Sequence, residues 1–133
     1  MVPVPDTGRF PVQVLVVEDE TLIRNLLTEE LIETGFQVIE ASTAVEALAY
    51  IEAGGGVDVV VTDVHLPGPL NGLDVAQYFR RSFPEIPVII TSENLGTTVI
   101  EGLGIEGLGE FLPKPYTPLQ AVGLVVRLTK VKP

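Results

Sequence analysis

One stretch constrains the fold more than any other, the β-branched run Val57-Asp58-Val59-Val60-Val61-Thr62-Asp63. Three consecutive valines without polar alternation are typical of a central parallel strand that is buried on both faces. A carboxylate cannot continue such a strand into an apolar core, because desolvating an isolated charge is very costly. We therefore expect Asp63 to lie where the strand ends, at the crevice where open α/β sheets bind their ligands.

Strand-like and helical patterns alternate five times along the chain. The other strands are predicted at 13–17, 36–40, 87–91 and 110–112. Such alternation predicts an α/β fold with helices on both faces of a parallel sheet. Because crossovers are right-handed, few windings are available, and the common one is the flavodoxin-like, doubly wound (βα)5 fold. Its five-stranded sheet has the order 2-1-3-4-5, in which the first and third strands are neighbours.

Local signals indicate where most of the helices begin and end. Gly35 is expected to end the first helix, Thr43 and Glu46 to begin the second as a capping box, and Thr117 to cap the last. Segment 95–110 should hold the fourth helix but contains five glycines. Each interior glycine costs about 1 kcal/mol relative to alanine, so we expect this helix to be short or mobile.

Composition narrows the class of protein. The 133 residues fit one domain, which we place at 12–131, with a flexible leader at 1–11 and a tail at 132–133. Cysteine is absent, which excludes disulfides and thiol chemistry. The net charge of −10 argues against nucleic acid as a direct partner. Without a bilayer-length apolar run or a signal peptide, we expect a cytoplasmic protein that does not contact membranes.

The predicted strand order gathers distant polar residues at one edge of the sheet. Glu18 and Asp19 follow the first strand and should lie beside Asp63, while Thr91 ends the fourth strand and Lys114 comes just after the fifth. Clustered carboxylates raise one another's pKa, and a hard divalent cation such as Mg²⁺ (or Mn²⁺) relieves the repulsion. With a lysine and a hydroxyl nearby, the cluster suits capture of a phosphoryl group by a carboxylate nucleophile.

These five residues in this order resemble the receiver domain of two-component response regulators, chemotaxis-type, over residues 12–131. The resemblance implies that Asp63 is phosphorylated by a histidine kinase or a histidine phosphotransfer protein. It further implies that Asp19 binds Mg²⁺ directly, that Glu18 acts mainly through water, and that the backbone carbonyl of His65 is a third protein ligand. The family tolerates Glu18 in place of its more usual first aspartate.

The same resemblance implies how the switch operates. Thr91 and Lys114 would bind the phosphoryl group, and Thr91 would move towards it. Phe111 would take the place of the family's switch aromatic, acting by burial because it lacks a hydroxyl. The Lys114-Pro115 bond would be cis. The loop 67–72 is about one residue longer than usual, and segment 95–110 departs most from the family pattern.

The implied function is signalling through protein contacts with a downstream target or output domain, without enzyme activity beyond self-catalysed phosphotransfer and autodephosphorylation. Three alternatives stay open: a receiver-like docking module that is not phosphorylated, an aspartyl-phosphate phosphatase, and a flavodoxin-like cofactor binder. The phosphatase would need an acid two residues after the nucleophile, where this chain has His65. The cofactor binder would need a phosphate cradle where Glu18 and Asp19 repel phosphate. Homodimer formation, and whether the chain is a whole protein or a fragment, also stay open.

Overall fold

The computed structural model describes residues 11–93 and 107–129, and within them five strands alternate with four helices. The strands are β1 (Gln13–Val17), β2 (Gln37–Ala41), β3 (Val59–Asp63), β4 (Val88–Glu93) and β5 (Glu110–Lys114). The helices are α1 (Thr21–Thr34), α2 (Ala44–Glu52), α3 (Gly72–Ser82) and α4 (Pro118–Thr129). All strand pairs are parallel, in the order β2-β1-β3-β4-β5. The predicted fold class and strand order are therefore confirmed.

Part of the predicted organisation falls on residues that the structure does not describe. Most of the helix expected within 95–110, nearly all of the leader 1–11 and the whole tail 132–133 lie outside the described residues. The domain boundaries thus stay a prediction. Within the described part of the chain, no helix is long and apolar enough to cross a membrane.

The central strand is buried on both faces, as its valine run predicts. Val59, Val60 and Val61 are at most 2% exposed. Because side chains alternate along a strand, Val60 joins a core cluster with α2 and α3, whereas Val59 and Val61 join a second cluster with α1 and α4. Apolar packing on both faces holds β3 rigid up to Asp63, the last residue of the strand.

Helix α1 is less buried than its apolar spacing suggests. Leu27 and Leu31 are buried against the sheet, but Leu22, Leu26 and Ile32 are each at least 47% exposed. The helix ends at Gly35, whose φ of 110° is a conformation that glycine adopts readily. The end of the helix is therefore confirmed, whereas its apolar face proves narrower than the pattern indicates.

The helix starts agree with the sequence in part. The Thr43 hydroxyl accepts a hydrogen bond from the Glu46 amide, as in a capping box. In a capping box the Glu46 carboxylate would also accept from the Thr43 amide, but it accepts from the amide of the preceding residue, Ser42. The complete capping box is at α3, between Asn71 and Asp74, and of these two residues only Asn71 falls in the predicted loop 67–72. At α4 the predicted cap is present, because Thr117 accepts from the amide of the third helical residue.

Candidate functional site

Pairing of β1 with β3 brings the acidic residues together at the carboxyl edge of the sheet. Val17 and Thr62 are register partners, so Glu18 and Asp19, which follow β1, lie beside Asp63 at the end of β3. One carboxylate oxygen from each of the three acids lies within 4.8 Å of the others. Glu18 and Asp63 are buried and Asp19 is exposed. The predicted acidic cluster is therefore formed, and one of its members faces solvent.

Lys114, the last residue of β5, lies between the two buried acids. Its Nζ donates hydrogen bonds to Glu18 Oε1 at 2.6 Å and to Asp63 Oδ2 at 3.0 Å. The three side chains are 4% to 8% exposed, so water screens these contacts very little. The lysine thus supplies a positive charge in contact with the carboxylate that ends β3.

Burial and ion pairing shift the protonation equilibria of this group. Burial raises the pKa of Glu18 above its ordinary value of 4.5, although hydrogen bonds from Lys114 and the Glu20 amide oppose the rise and the charge of Asp63 adds to it. Desolvation alone would lower the pKa of Lys114, but its hydrogen bonds to the two acids outweigh that effect and raise the pKa above 10.5. Lys114 is therefore firmly charged at neutral pH.

Thr91 and His65 lie next to Asp63, and Phe111 lies on β5 as the register partner of Ile90. Thr91 is the register partner of Asp63 on β4 and is 1% exposed. The His65 amide donates to Asp63 Oδ1 at 3.3 Å, which places this backbone against the carboxylate, while the His65 side chain is exposed. Phe111 on β5 is half-buried and packs against the core cluster shared with α2 and α3. The Lys114-Pro115 bond is cis, as expected.

Gly72 ends the predicted loop 67–72, and its sequence context gives it no role at the site. A Cβ at this position would lie 1.7 Å from the backbone oxygen of Asp63, so any larger residue must displace the start of α3. Its amide donates to the Val64 carbonyl at 2.9 Å, which closes the loop back onto the end of β3. The Asn71-Gly72 pair is the only signal of this close approach in the sequence.

Arg24 is the second residue that the sequence analysis does not single out. It is on α1, and its Nη1 donates to the backbone oxygen of Glu18 at 2.7 Å. An arginine within a helix is ordinarily surface, and no spacing rule predicts that its side chain reaches back to the end of β1. The contact is a product of the tertiary fold.

A cleft of about 430 Å³ opens the site to solvent, and its lining includes Asp19, Asp63 and His65. Glu20 and Glu93 complete the lining. Within the described residues, the three clustered acids offer only hard oxygen ligands, few in number, and Asp19 among them is exposed to water; this is the donor set that Mg²⁺ prefers. The residues present therefore fit a magnesium ion, and a phosphate group could approach only if a cation offset the acidic charge.

Comparison with known proteins places this geometry in a family. A family model described as "Response regulator receiver domain" matches residues 14–125. The DNA-binding transcriptional regulator NtrC of Rhizobium meliloti is 33% identical over 115 residues, which are 86% of this chain and 23% of NtrC. Chemotaxis protein CheY1 of Helicobacter pylori is 36% identical over 110 residues, which are 80% of this chain and 87% of CheY1.

A solved structure agrees in fold. The response regulator protein TrrA from Thermotoga maritima, in complex with Mg²⁺ and BeF, matches with a TM-score of 0.76 and 30% identity, over 88% of this chain and 98% of that chain. The chain thus spans nearly all of CheY1 and TrrA but less than a quarter of NtrC. The extent of the family match and the agreement in fold lead to one conclusion: the chain belongs to the response regulator receiver domain family.

Proposed function

We propose that this chain accepts a phosphoryl group on Asp63. The observation that supports this most strongly is that Asp63 ends a central strand packed on both faces, is only 6% exposed, and still lines an open cleft with Lys114 Nζ at 3.0 Å. A carboxylate nucleophile needs both access to the donor and a positive charge to balance the oxygen charge that develops during transfer. In the transfer, an Asp63 oxygen forms a bond to phosphorus as the bond from phosphorus to the donor breaks, and the donor keeps the electron pair.

The proposed cofactor is Mg²⁺, or Mn²⁺, held by Asp19, Asp63 and the backbone carbonyl of His65, with Glu18 acting mainly through water. Support comes from the cluster of carboxylate oxygens within 4.8 Å and from the Mg²⁺ present in the TrrA complex. When bound, the ion would neutralise phosphoryl oxygens and so lower the repulsion from the acidic cleft. Asp19, the exposed member of the cluster, is the acid best placed to take an ion from solvent.

Lys114 and Thr91 are proposed to bind the phosphoryl group once it is attached. Lys114 already contacts the acceptor carboxylate, and Thr91 is the register partner of Asp63 on the adjacent strand. We further propose that Thr91 and Phe111 form the switch. Ile90, the residue before Thr91, is the register partner of Phe111, so a shift of the threonine would be transmitted to β5 over one strand spacing.

The proposed phosphodonor is a histidine kinase or a histidine phosphotransfer protein, and the receiver of the signal is a downstream protein or an output domain. The domain would comprise residues 12–131. A cytoplasmic location fits a donor of this kind. Beyond self-catalysed phosphotransfer and autodephosphorylation, the domain would have no enzyme activity.

Intact mass spectrometry after incubation with acetyl phosphate tests this proposal. With Mg²⁺ present, we expect the mass to rise by one phosphoryl group, and with excess chelator we expect no change. No mass gain in the presence of Mg²⁺ would instead support a docking module that is not phosphorylated. Sustained release of phosphate from small phosphate esters would support a phosphatase, a class that places a carboxylic acid two positions after the nucleophile, where this chain has His65.

A further inference from the structure

The peptide that joins β1 to α1 carries two members of the acidic cluster, and its main chain is held on both sides. The Glu18 amide donates to the Ala41 carbonyl at 3.0 Å, which ties the peptide to the end of β2. On the other side, Arg24 Nη1 donates to the Glu18 carbonyl at 2.7 Å. A charged donor at this distance makes a strong hydrogen bond, so the carbonyl has little freedom to rotate.

Arg24 is itself held in place by residues remote from the cleft. Its Nε lies 3.3 Å from Glu40 Oε1 on β2, and the Thr28 hydroxyl donates to the same oxygen at 3.2 Å. The Arg24 side chain is only 18% exposed. The guanidinium therefore spans the gap between the edge strand and the Glu18 peptide as a supported bridge, unlike a solvated arginine on a helix surface.

Helix α1 lacks the usual means of fixing its first residues. Glu20 is its N-cap and makes no side-chain capping bond. The Glu20 amide donates to Glu18 Oε2 at 3.1 Å. The conformation of the peptide after β1 thus depends on Glu18 and on the groups that hold it. Arg24 contributes a side chain from outside this peptide that hydrogen-bonds to its backbone.

We infer that Arg24 is a positioning residue for the proposed Mg²⁺ site. By fixing the Glu18 peptide, it sets the directions in which Glu18 and Asp19 present their carboxylates towards Asp63. The inference rests on the proposed function, because it assigns Arg24 a role towards that ion. Groups that orient ligands in this way typically change metal affinity by about 10- to 100-fold when they are replaced.

Electrostatics gives the opposite expectation and so makes the inference testable. A positive guanidinium next to an acidic cluster repels a divalent cation, so removing the charge alone should strengthen Mg²⁺ binding. Loss of positioning should weaken it. The sign of the change in affinity therefore distinguishes a positioning role from a purely electrostatic one.

Two substitutions separate charge from geometry. Arg24→Lys keeps the charge but cannot donate to Glu18 and Glu40 from two nitrogens at once, whereas Arg24→Gln also removes the charge. Arg127→Lys and Arg127→Gln are matched controls, because Arg127 pairs with Glu110 at an exposed site that does not touch the cluster. Thermal unfolding without Mg²⁺ verifies that each variant is folded.

Isothermal titration calorimetry with magnesium chloride is the primary measurement. We expect the Mg²⁺ dissociation constant of Arg24→Lys to rise about tenfold, that of Arg24→Gln to rise also, and those of both controls to match wild type. Unchanged affinity in Arg24→Lys, or tighter binding in Arg24→Gln, would overturn the inference and leave the proposed function intact. Absence of Mg²⁺ binding to the wild-type protein would overturn both.

Phosphorylation by acetyl phosphate provides a second readout that general destabilisation would not produce. The Mg²⁺ concentration for half-maximal labelling should rise in Arg24→Lys by the same factor as the dissociation constant. The rate at saturating Mg²⁺ should stay at the wild-type value, since Asp63 and Lys114 are untouched. A loss of rate at saturating Mg²⁺ with unchanged half-saturation would contradict a positioning role.

Discussion

The two ends of strand β5 carry ion pairs of the same chemistry in opposite surroundings. At its first residue, Glu110 lies 3.7 Å from Arg127, and the two side chains are 48% and 62% exposed. At its last residue, Lys114 bonds to Glu18 and Asp63 with no side chain more than 8% exposed. Glu110 and Lys114 are four positions apart in the chain, yet the contact of Glu110 is open to water and that of Lys114 is almost closed to it.

The contrast indicates that burial sets the electrostatic environment of the carboxyl edge, where we propose that phosphorylation occurs. In water an ion pair gains little, because solvent screens both charges and the side chains lose freedom. In the cleft, Lys114 cannot exchange its acidic partners for water without a large cost, so a phosphoryl group or a cation that arrives there meets unscreened charge. This environment lies at the carboxyl ends of the strands, where parallel sheets generally form their binding sites.

Replacing the acceptor at the buried end should have the largest effect. We expect Asp63→Asn to abolish phosphorylation by acetyl phosphate, because an amide oxygen is a far poorer nucleophile than a carboxylate. Glu110→Gln removes one carboxylate charge at the exposed end of β5. This variant should be phosphorylated to the same extent as wild type. Intact mass measures the phosphorylation of both variants. Phosphorylation that persists in Asp63→Asn would mean that another residue is the acceptor.

Removing the positive charge of Lys114, which contacts both buried acids, should have the next largest effect. Lys114→Met leaves two buried carboxylates facing each other, and we expect the free energy of unfolding without Mg²⁺ to fall by about 3 kcal/mol. The same variant should bind Mg²⁺ more tightly than wild type, because the ion no longer competes with an ammonium between Glu18 and Asp63. Chemical denaturation with and without Mg²⁺ measures both quantities.

Arg127→Met is the control for this experiment, since it removes a cation from the exposed pair. We expect its stability to stay within about 0.5 kcal/mol of wild type and its Mg²⁺ affinity to be unchanged. If Lys114→Met bound Mg²⁺ no more tightly than the control, the ammonium would not be a competitor for the ion.

Much of the acidic cluster at the carboxyl edge of the sheet could be predicted from the sequence, because the sequence patterns that indicate it are local. A valine run that stops at a carboxylate predicts both the strand and the position of Asp63, and the strand order then brings Glu18 and Asp19 alongside. Lys114 is distinguished only by its place after a fifth strand, next to a proline. Those inferences needed periodicity and topology and no knowledge of side-chain conformation.

The contacts that support the cluster could not be predicted in the same way. Arg24 reads as an ordinary helix-surface residue until the fold brings the Glu18 carbonyl within its reach. The asparagine–glycine pair that ends at Gly72 predicts a turn, but the 1.7 Å approach of a Cβ to Asp63 exists only once α3 packs on β3. Exposure of Leu22 likewise depends on how α1 lies on the sheet, which helical spacing alone does not fix.

The pH dependence of stability tests how burial affects Glu18 in comparison with the exposed Glu110. The raised pKa of Glu18 means that the folded protein holds this proton more tightly than the unfolded chain does. Without Mg²⁺, the contribution of Glu18 to stability should therefore rise as the pH falls from the raised pKa to the ordinary value of 4.5, and decline as the pH rises through that window. The difference in unfolding free energy between wild type and Glu18→Gln, measured across the window, tests this, with Glu110→Gln as the control for loss of one carboxylate.

The exposed pair should show the smallest effect. In a double-mutant cycle with Glu110→Gln and Arg127→Gln, we expect a coupling free energy of about 0.5 kcal/mol or less, because both side chains are about half exposed and their charged atoms are 3.7 Å apart. The coupling should fall further in about 1 M salt, where the screening length is about 3 Å. A coupling above about 2 kcal/mol that persisted in salt would mean that this end of β5 is as electrostatically unscreened as the cleft, and burial would then not distinguish the two ends of the strand.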